Sequence, residues 1–186
     1  RGGVAFEHGV ASGDPLRHRV MLWTRVTPNA ALNRKVRGVL VRWVVALDPQ
    51  MHHVVGRGAL RTGPDRDYTV KIDAEGLRPG TTYYYRFQSR GASSPVGRTR
   101  TLPAGATPRL RLAVVSCSNH AAGYFNAYRR IAERADLDAV LHLGDYLYEY
   151  GPNQYGSARR PDPPHEMATP ADYRTSAAAY KRDADS

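Results

Sequence analysis

The chain has 186 residues and is 41% hydrophobic, which is enough for one or two domains with a buried core. No apolar run approaches the roughly 20 residues of a membrane-spanning helix, and the single cysteine, Cys117, excludes an internal disulfide. The net charge of +10 favours anionic ligands, but the arginines that supply most of it are scattered singly, so no nucleic-acid partner is expected.

Short segments with alternating side chains fill the first hundred residues. Residues 20, 22, 24 and 26 share one face of a predicted strand, and residues 39, 41, 43, 45 and 47 share one face of a second, over 36–47. Further strands are predicted near residue 6 and at 53–61, 68–73 and 96–101, with Gly, Pro and Asp in the turns between them. Short strands at this spacing predict an antiparallel β-sandwich.

Residues 77–87 (LRPGTTYYYRF) make this prediction more specific, because they resemble the E–F corner and F strand of fibronectin type III-like modules. Tyr83 would be the corner tyrosine, whose hydroxyl bonds back to upstream backbone, and Tyr85 and Phe87 would enter the core. A base-stacking platform is the alternative role for this tyrosine run. We predict a fibronectin III-like β-sandwich over residues 1–105, without catalytic groups.

A βαβ unit is predicted over residues 110–150. The apolar run 110–117 (LRLAVVSC) is typical of a parallel strand buried on both faces. Apolar side chains at 124, 128, 131 and 135 then predict an amphipathic helix, and 138–145 (DAVLHLGD) predicts the second strand. Functional residues of α/β sheets lie beyond the carboxyl ends of the strands, and here those ends hold Cys117 and Asp145.

The residue types at these two strand ends suggest a metal site. A thiolate favours zinc or iron, a carboxylate suits harder ions, and a tyrosinate is best matched by ferric iron. Tyr148 follows Asp145 by three residues, so one turn can direct both side chains towards Cys117. Such a site could hold Fe³⁺, with Asp145 bridging to a second ion, and two metal ions can promote attack on a phosphate. The alternatives are a buried inert thiol at Cys117 and ordinary packing of Tyr148.

The chain resembles the amino-terminal part of PhoD-type alkaline phosphatases. The matching stretches, in the order of the family, are 6–15 (FEHGVASGDP), 20–27 (VMLWTRVT), 76–87, 114–120 (VVSCSNH), 141–149 (LHLGDYLYE) and 165–180 (HEMATPADYRTSAAAY). The resemblance implies a fibronectin-like module followed by a four-layer α/β metallophosphoesterase domain, of which residues 108–186 would be the first part. It further implies Fe³⁺ and Ca²⁺ as cofactors, with Cys117 and Tyr148 as iron ligands and Asp145 as the bridging carboxylate.

The function implied by this resemblance is hydrolysis of phosphate mono- and diesters outside the cytoplasm, after export that resembles twin-arginine transport. Some secreted phospholipases D are similar, so phospholipids are further candidate substrates, with at most peripheral membrane contact.

The resemblance places the remaining metal ligands beyond Ser186, and the helix predicted at 171–180 is followed by Lys181–Ser186 without a recognisable cap. We therefore expect the rest of the enzyme as a second chain that completes the metal site. Two alternatives remain: a non-catalytic fibronectin-like binding module with a vestigial α/β segment, and a nucleic-acid binder whose affinity would fall steeply with salt.

Overall fold

Two units divide the chain, Arg1–Thr107 and Pro108–Ser186. The structure is a computed structural model, and it describes residues 3–35 and 37–183. Outside the described residues lie Val36, which belongs to the predicted strand 36–47, and residues 184–186, which belong to the segment predicted to lack a helix cap. None of the helices in the described ranges is both long enough and apolar enough to cross a membrane.

The first unit is built almost entirely of antiparallel strands. One sheet has the order β10-β8-β5-β6, with β9 paired to β8, a second has the order β2-β3-β7, and β1 pairs with β4. The elements are β1 Val4–Ala5, β2 Val10–Gly13, β3 Val20–Arg25, β4 Thr27–Pro28, α1 Ala30–Lys35, β5 Val39–Ala46, β6 Val54–Thr62, a 3-10 turn Pro64–Arg66, β7 Thr69–Ala74, β8 Thr82–Ser89, β9 Ala92–Ser93 and β10 Gly97–Arg100.

The two larger sheets pack around one hydrophobic core, which makes this unit a β-sandwich. Along β3 the residues alternate between buried and half-buried, with Val20 and Leu22 both at most 1% exposed, as the period of two predicted. The core is completed from β5, β7 and β8 and from neighbouring turns, and its large members include Val41, Val70, Ile72, Tyr83, Tyr85 and Phe87. Burial of one face of each strand in this common core is what holds the two sheets together.

Leu47 departs from the predicted pattern. The pairing of β5 with β6 shifts register between Val45 and Ala46. Val45 is fully buried, whereas Leu47, two residues further, is 42% exposed. The prediction that Leu47 lies on the core face is wrong, because such a bulge redirects the side chains that follow it.

The corner before β8 has the predicted hydrogen bond. The backbone N–H of Arg78 donates to the hydroxyl oxygen of Tyr83 over 2.7 Å, and the Tyr83 side chain is buried. The hydroxyl of Thr101 donates to the carbonyl of Arg78, which joins the corner to the segment after β10.

The second unit contains the predicted βαβ arrangement. Its strands are β11 Leu112–Val115 and β12 Ala139–His142, which pair in parallel, and α2 Asn126–Ala132 lies between them in the chain. A 3-10 turn His120–Ala122 follows β11, and the longest helix is α3 Pro170–Arg182. Helix α3 begins with a capping box between Thr169 and Asp172, which explains its sharp start.

The predicted burial of β11 on both faces is wrong. Its residues alternate between exposed and half-buried, and Val114 is 57% exposed. In β12, Val140 and Leu141 are 49% and 45% exposed. The described residues of this unit form a sheet of two strands, so each strand has a neighbour on one side, and much of its apolar surface faces solvent.

Candidate metal centre

The loops after β11 and β12 lie side by side. Backbone hydrogen bonds continue the parallel pairing past the strands, from the N–H of Cys117 to the carbonyl of Gly144 (3.1 Å) and from the N–H of Ser118 to the carbonyl of Asp145 (2.8 Å). The carboxyl ends of parallel strands meet at one sheet edge. This pairing brings together two loops whose residues are distant in sequence.

The three residues predicted as metal ligands converge on one carboxylate oxygen. The Cys117 thiol donates to Asp145 Oδ2 over 3.7 Å, and the Tyr148 hydroxyl donates to the same oxygen over 3.1 Å. Cys117 and Asp145 are exposed and Tyr148 is half-buried. All three are therefore placed together and within reach of solvent.

Both loop residues have unusual backbone conformations. Cys117 has φ = 61° and Asp145 has φ = 52°, in the left-handed region that non-glycine residues seldom adopt. Such conformations cost on the order of 1 kcal/mol or more each, and they concentrate at functional sites. Gly144, with φ = 118°, supplies the turn that only glycine adopts easily.

The phenol of Tyr148 is held in its protonated form. The adjacent Cys117 thiol, partial desolvation and the Asp145 carboxylate, which accepts its hydrogen bond, raise its pKa well above the ordinary value. A cation among these three groups would take the place of the two protons that now point at Asp145, and it would reverse the effect on the pKa.

The donor chemistry of the cluster fits a ferric ion. It combines a thiol, a carboxylate and a phenol, and tyrosinate is a characteristic partner of ferric iron. Among residues 3–35 and 37–183, no group of three or more His, Cys, Asp or Glu side chains could hold a metal ion. The phenol of Tyr148 is therefore an essential part of the proposed donor set.

The ring of Tyr148 belongs to a group of three tyrosine rings in contact. It stacks on Tyr155, with centroids 5.5 Å apart and planes inclined by 14°, and Tyr155 also contacts Tyr150. The side-chain amide of Asn119 donates to the carbonyl of Tyr155. Sequence analysis missed Asn119 and Tyr155, because nothing in the local pattern shows that the 151–158 loop returns to this site.

A second cluster missed by sequence analysis lies behind the loops. The hydroxyls of Ser118 and Tyr128 bond to each other, and His142 Nε2 lies 2.8 Å from Ser118 Oγ and 3.1 Å from the Tyr128 hydroxyl. The sequence does contain an indication of this cluster. His142 is the polar residue within the apolar run of β12, and a polar residue in such a run usually has hydrogen-bond partners.

Comparison with known proteins agrees with this architecture. A family described as PhoD-like phosphatase, N-terminal domain, matches residues 1–103, and the family PhoD-like phosphatase matches residues 112–186. Alkaline phosphatase D of Bacillus subtilis (strain 168) is 43% identical over 186 residues, which cover 96% of this chain and 32% of that protein. A solved structure, described as the structure of PhoD, matches with a TM-score of 0.88 and 41% identity, covering 97% of this chain and 36% of the other.

A β-sandwich followed by a βαβ unit, with a thiol, a carboxylate and a phenol at its strand ends, defines a two-unit protein with a candidate metal centre. The chain belongs to the PhoD-like phosphatase family. It spans about a third of the length of the curated relative that it matches.

Proposed function

We propose that this chain is the amino-terminal part of a metal-dependent phosphoric ester hydrolase. The observation that carries the proposal is the convergence of Cys117 and Tyr148 on the same carboxylate oxygen of Asp145. Membership of the PhoD-like phosphatase family supports it independently. The proposal includes the domain assignment, a fibronectin III-like sandwich over 1–105 and the start of a four-layer metallophosphoesterase domain over 108–186.

In this proposal Cys117 and Tyr148 would hold Fe³⁺, and Asp145 would be the carboxylate shared with a second ion, Ca²⁺. When bound, the two ions would supply Lewis-acid chemistry for attack on a phosphorus centre. The chain's own residues fix the geometry, because the paired loops set the distance between the thiol and the carboxylate and the turn 145–148 directs the phenol. The left-handed conformations at residues 117 and 145 are maintained by the same loop pairing.

Completion of the site requires residues outside this chain. The exposed apolar faces of β11 and β12 support a larger parallel sheet in the whole protein. The chain corresponds to 32% of the length of the Bacillus subtilis relative. We propose that the remaining sequence of the same enzyme supplies further ligands as a second chain, and that denaturing electrophoresis beside native mass measurement detects it. A native mass of a single 20.6 kDa chain would contradict that arrangement.

The proposed substrates are phosphate monoesters and diesters, including phospholipids. We further propose that the enzyme acts outside the cytoplasm after twin-arginine export, which would suit a metal loaded before translocation. The rival function, a non-catalytic fibronectin-like binding module, predicts a protein without bound iron.

The test uses the full-length protein with the variant Tyr148→Phe, and with Tyr173→Phe, on the exposed surface of α3, as the matched control. We expect iron and calcium in the wild type, a visible tyrosinate-to-iron absorption band, and loss of that band only in Tyr148→Phe. Hydrolysis of p-nitrophenyl phosphate, its bis-ester and phosphatidylcholine then identifies the substrate class. A colourless, iron-free and inactive wild-type protein would support the binding module instead.

A further inference from the structure

We propose that His142 is a positioning residue that ties the Cys117 loop to the Asp145 loop through Ser118. The hydrogen bonds of His142 do not depend on a bound metal ion. Only their effect on metal binding rests on the proposed function.

The tautomer of His142 follows from its neighbours. The backbone N–H of Gly144 lies 3.3 Å from His142 Nδ1 and donates to it, so Nδ1 carries no proton. A neutral imidazole then has its proton on Nε2. His142 is therefore an acceptor towards its own loop and a donor on its opposite side.

The Nε2 proton is directed at the neighbouring loop. Ser118 Oγ is 2.8 Å from Nε2, and Ser118 is only 4% exposed, so water competes little for this bond. The Tyr128 hydroxyl bonds to Ser118, and its ring lies nearly parallel to that of His142 at a centroid distance of 6.4 Å. Tyr146 contacts the His142 ring edge-to-face at 5.2 Å. The imidazole is thus fixed in its orientation by α2 and by its own loop.

Two of the three residues that His142 bonds, Ser118 and Gly144, are each adjacent to a proposed metal ligand. Ser118 follows Cys117, and Gly144 precedes Asp145, so one imidazole ring links the backbones that carry the thiol and the carboxylate. Both ligands have left-handed φ values that the loops must maintain. Loss of the link would loosen the two loops, which the backbone hydrogen bonds of Cys117 and Ser118 would still join. Groups that orient metal ligands typically change metal affinity about 10–100-fold when they are removed.

The test compares Ser118→Ala, His142→Asn and the double variant of the full-length protein. Asparagine is short enough to keep an acceptor for the Gly144 N–H but does not reach Ser118, so both single variants remove the bond between Ser118 and His142, one from each side. His142→Asn also removes the contact with the Tyr128 hydroxyl, which Ser118→Ala keeps. Ser176→Ala, a comparably buried serine in α3, and His165→Asn, an exposed histidine, are the controls.

Three results are expected. Selective ¹⁵N-histidine labelling should give a His142 resonance, assigned by its loss in His142→Asn, with the proton on Nε2. The Fe³⁺ dissociation constant should rise about 10–100-fold in each single variant and no further in the double variant, because one shared link is lost. Neither control should change it.

Measurements on the metal-free protein test this inference independently of the proposed function. If the wild type takes up no iron, the proposed function fails, but amide exchange still tests the hydrogen bond between His142 and Ser118. Exchange in peptides covering residues 112–119 and 139–146 should be about tenfold faster in both single variants, the size expected for one lost hydrogen bond. A proton on Nδ1, additive effects on iron affinity, or unchanged exchange in these peptides would each overturn the inference.

Discussion

Cys117 Sγ and Asp145 Oδ2 lie 3.7 Å apart although 28 residues separate them in the chain. They meet because each follows one strand of a parallel pair, and backbone hydrogen bonds continue this pairing beyond the strands as far as Ser118 and Asp145. The thiol is exposed and contributes nothing to a hydrophobic core. The side chain of Cys117 can therefore be changed without removing packing contacts that hold the unit together.

Cys117→Ser in the full-length protein should abolish bound iron and leave the fold intact. A serine hydroxyl is a much weaker anionic ligand than a thiolate, since thiols ionise far more readily. Metal analysis and circular dichroism measure the two effects, and Ser157→Ala, on the exposed 151–158 loop, is the control. Iron at wild-type stoichiometry in Cys117→Ser would show that Cys117 is not a ligand.

The positions of the candidate ligands could be predicted from sequence because they depend on one regular element. An apolar run, a helical period and a second apolar run define a βαβ unit, and its strand ends bring residues 117 and 145 together. The partners of His142 and the stacking of Tyr155 on Tyr148 could not be identified this way, although a polar His142 within an apolar run does indicate that it has hydrogen-bond partners. The Tyr155 contact depends on the return of a distant segment, and the bond from His142 to Ser118 depends on the conformation of the loop after β11. Neither leaves a periodic pattern in the sequence.

Burial was harder to predict than strand position. The apolar run of β11 identified a strand correctly, but the number of neighbours beside it is a property of the whole sheet. The bulge after Val45 likewise depends on how β6 pairs with β5. Hydrophobic periodicity describes a strand's own faces and does not encode its partners.

Tyr83→Phe should lower the free energy of unfolding of the first unit by roughly 1–2 kcal/mol. The variant keeps the ring but leaves the Arg78 N–H without the acceptor that it now contacts at 2.7 Å. Hydrogen exchange of core amides over a urea series measures the change. Tyr84→Phe, on the opposite face of β8 and half-buried, is the control, and equal effects from the two variants would argue against a corner role.

Gly97→Ala should destabilise the same unit by about 1–3 kcal/mol, the range typical of overpacking. Gly97 pairs with Tyr85 across β10 and β8, and a methyl group at residue 97 would lie 2.3 Å from Cζ of that ring. Tyr85 is 2% exposed, so its ring has little room to move. In Gly105→Ala the added methyl would meet nothing within 4 Å, so this variant should unfold like the wild type.

The start of α3 should weaken in acid. Hydrogen bonds from the Thr169 hydroxyl and from the backbone N–H groups of Ala168 and Thr169 lower the pKa of Asp172 from 3.8 to about 2. Because the folded-state pKa is depressed, the ionised carboxylate stabilises the helix start above pH 3.8, and this contribution disappears as the pH falls towards about 2.

An NMR titration of Asp172 measures this directly. Thr169→Ala should raise the pKa of Asp172 towards its ordinary value, because the Thr169 hydroxyl is the strongest of the donors. Thr175→Ala, one turn further along α3, should leave the pKa unchanged, since the Thr175 hydroxyl donates to the carbonyl of Ala171 instead. An unshifted pKa in Thr169→Ala would refute the capping-box explanation.

Gly156→Ala should detach the 151–158 loop from the 3-10 turn that follows β11. Gly156 has φ = 124°, and a methyl group there would lie 2.8 Å from backbone atoms of Ala121 and Ala122. Two amides just beyond it, those of Ala158 and Arg159, donate to the carbonyl of Ala121 at 2.9 and 3.2 Å. Since backbone atoms cannot move aside as a flexible side chain can, the loop itself must shift.

This shift should reach Tyr148 through Tyr155, whose ring stacks on it. We expect amide exchange at residues 158 and 159 to be about tenfold faster or more, as for a lost hydrogen bond, and iron uptake by the full-length protein to fall because the phenol loses its support. Gly123→Ala is the matched control, since a methyl group at residue 123 would meet nothing within 4 Å. Faster exchange with unchanged iron uptake would show that the ring stack does not position Tyr148, and unchanged exchange would show that the loop tolerates the methyl group.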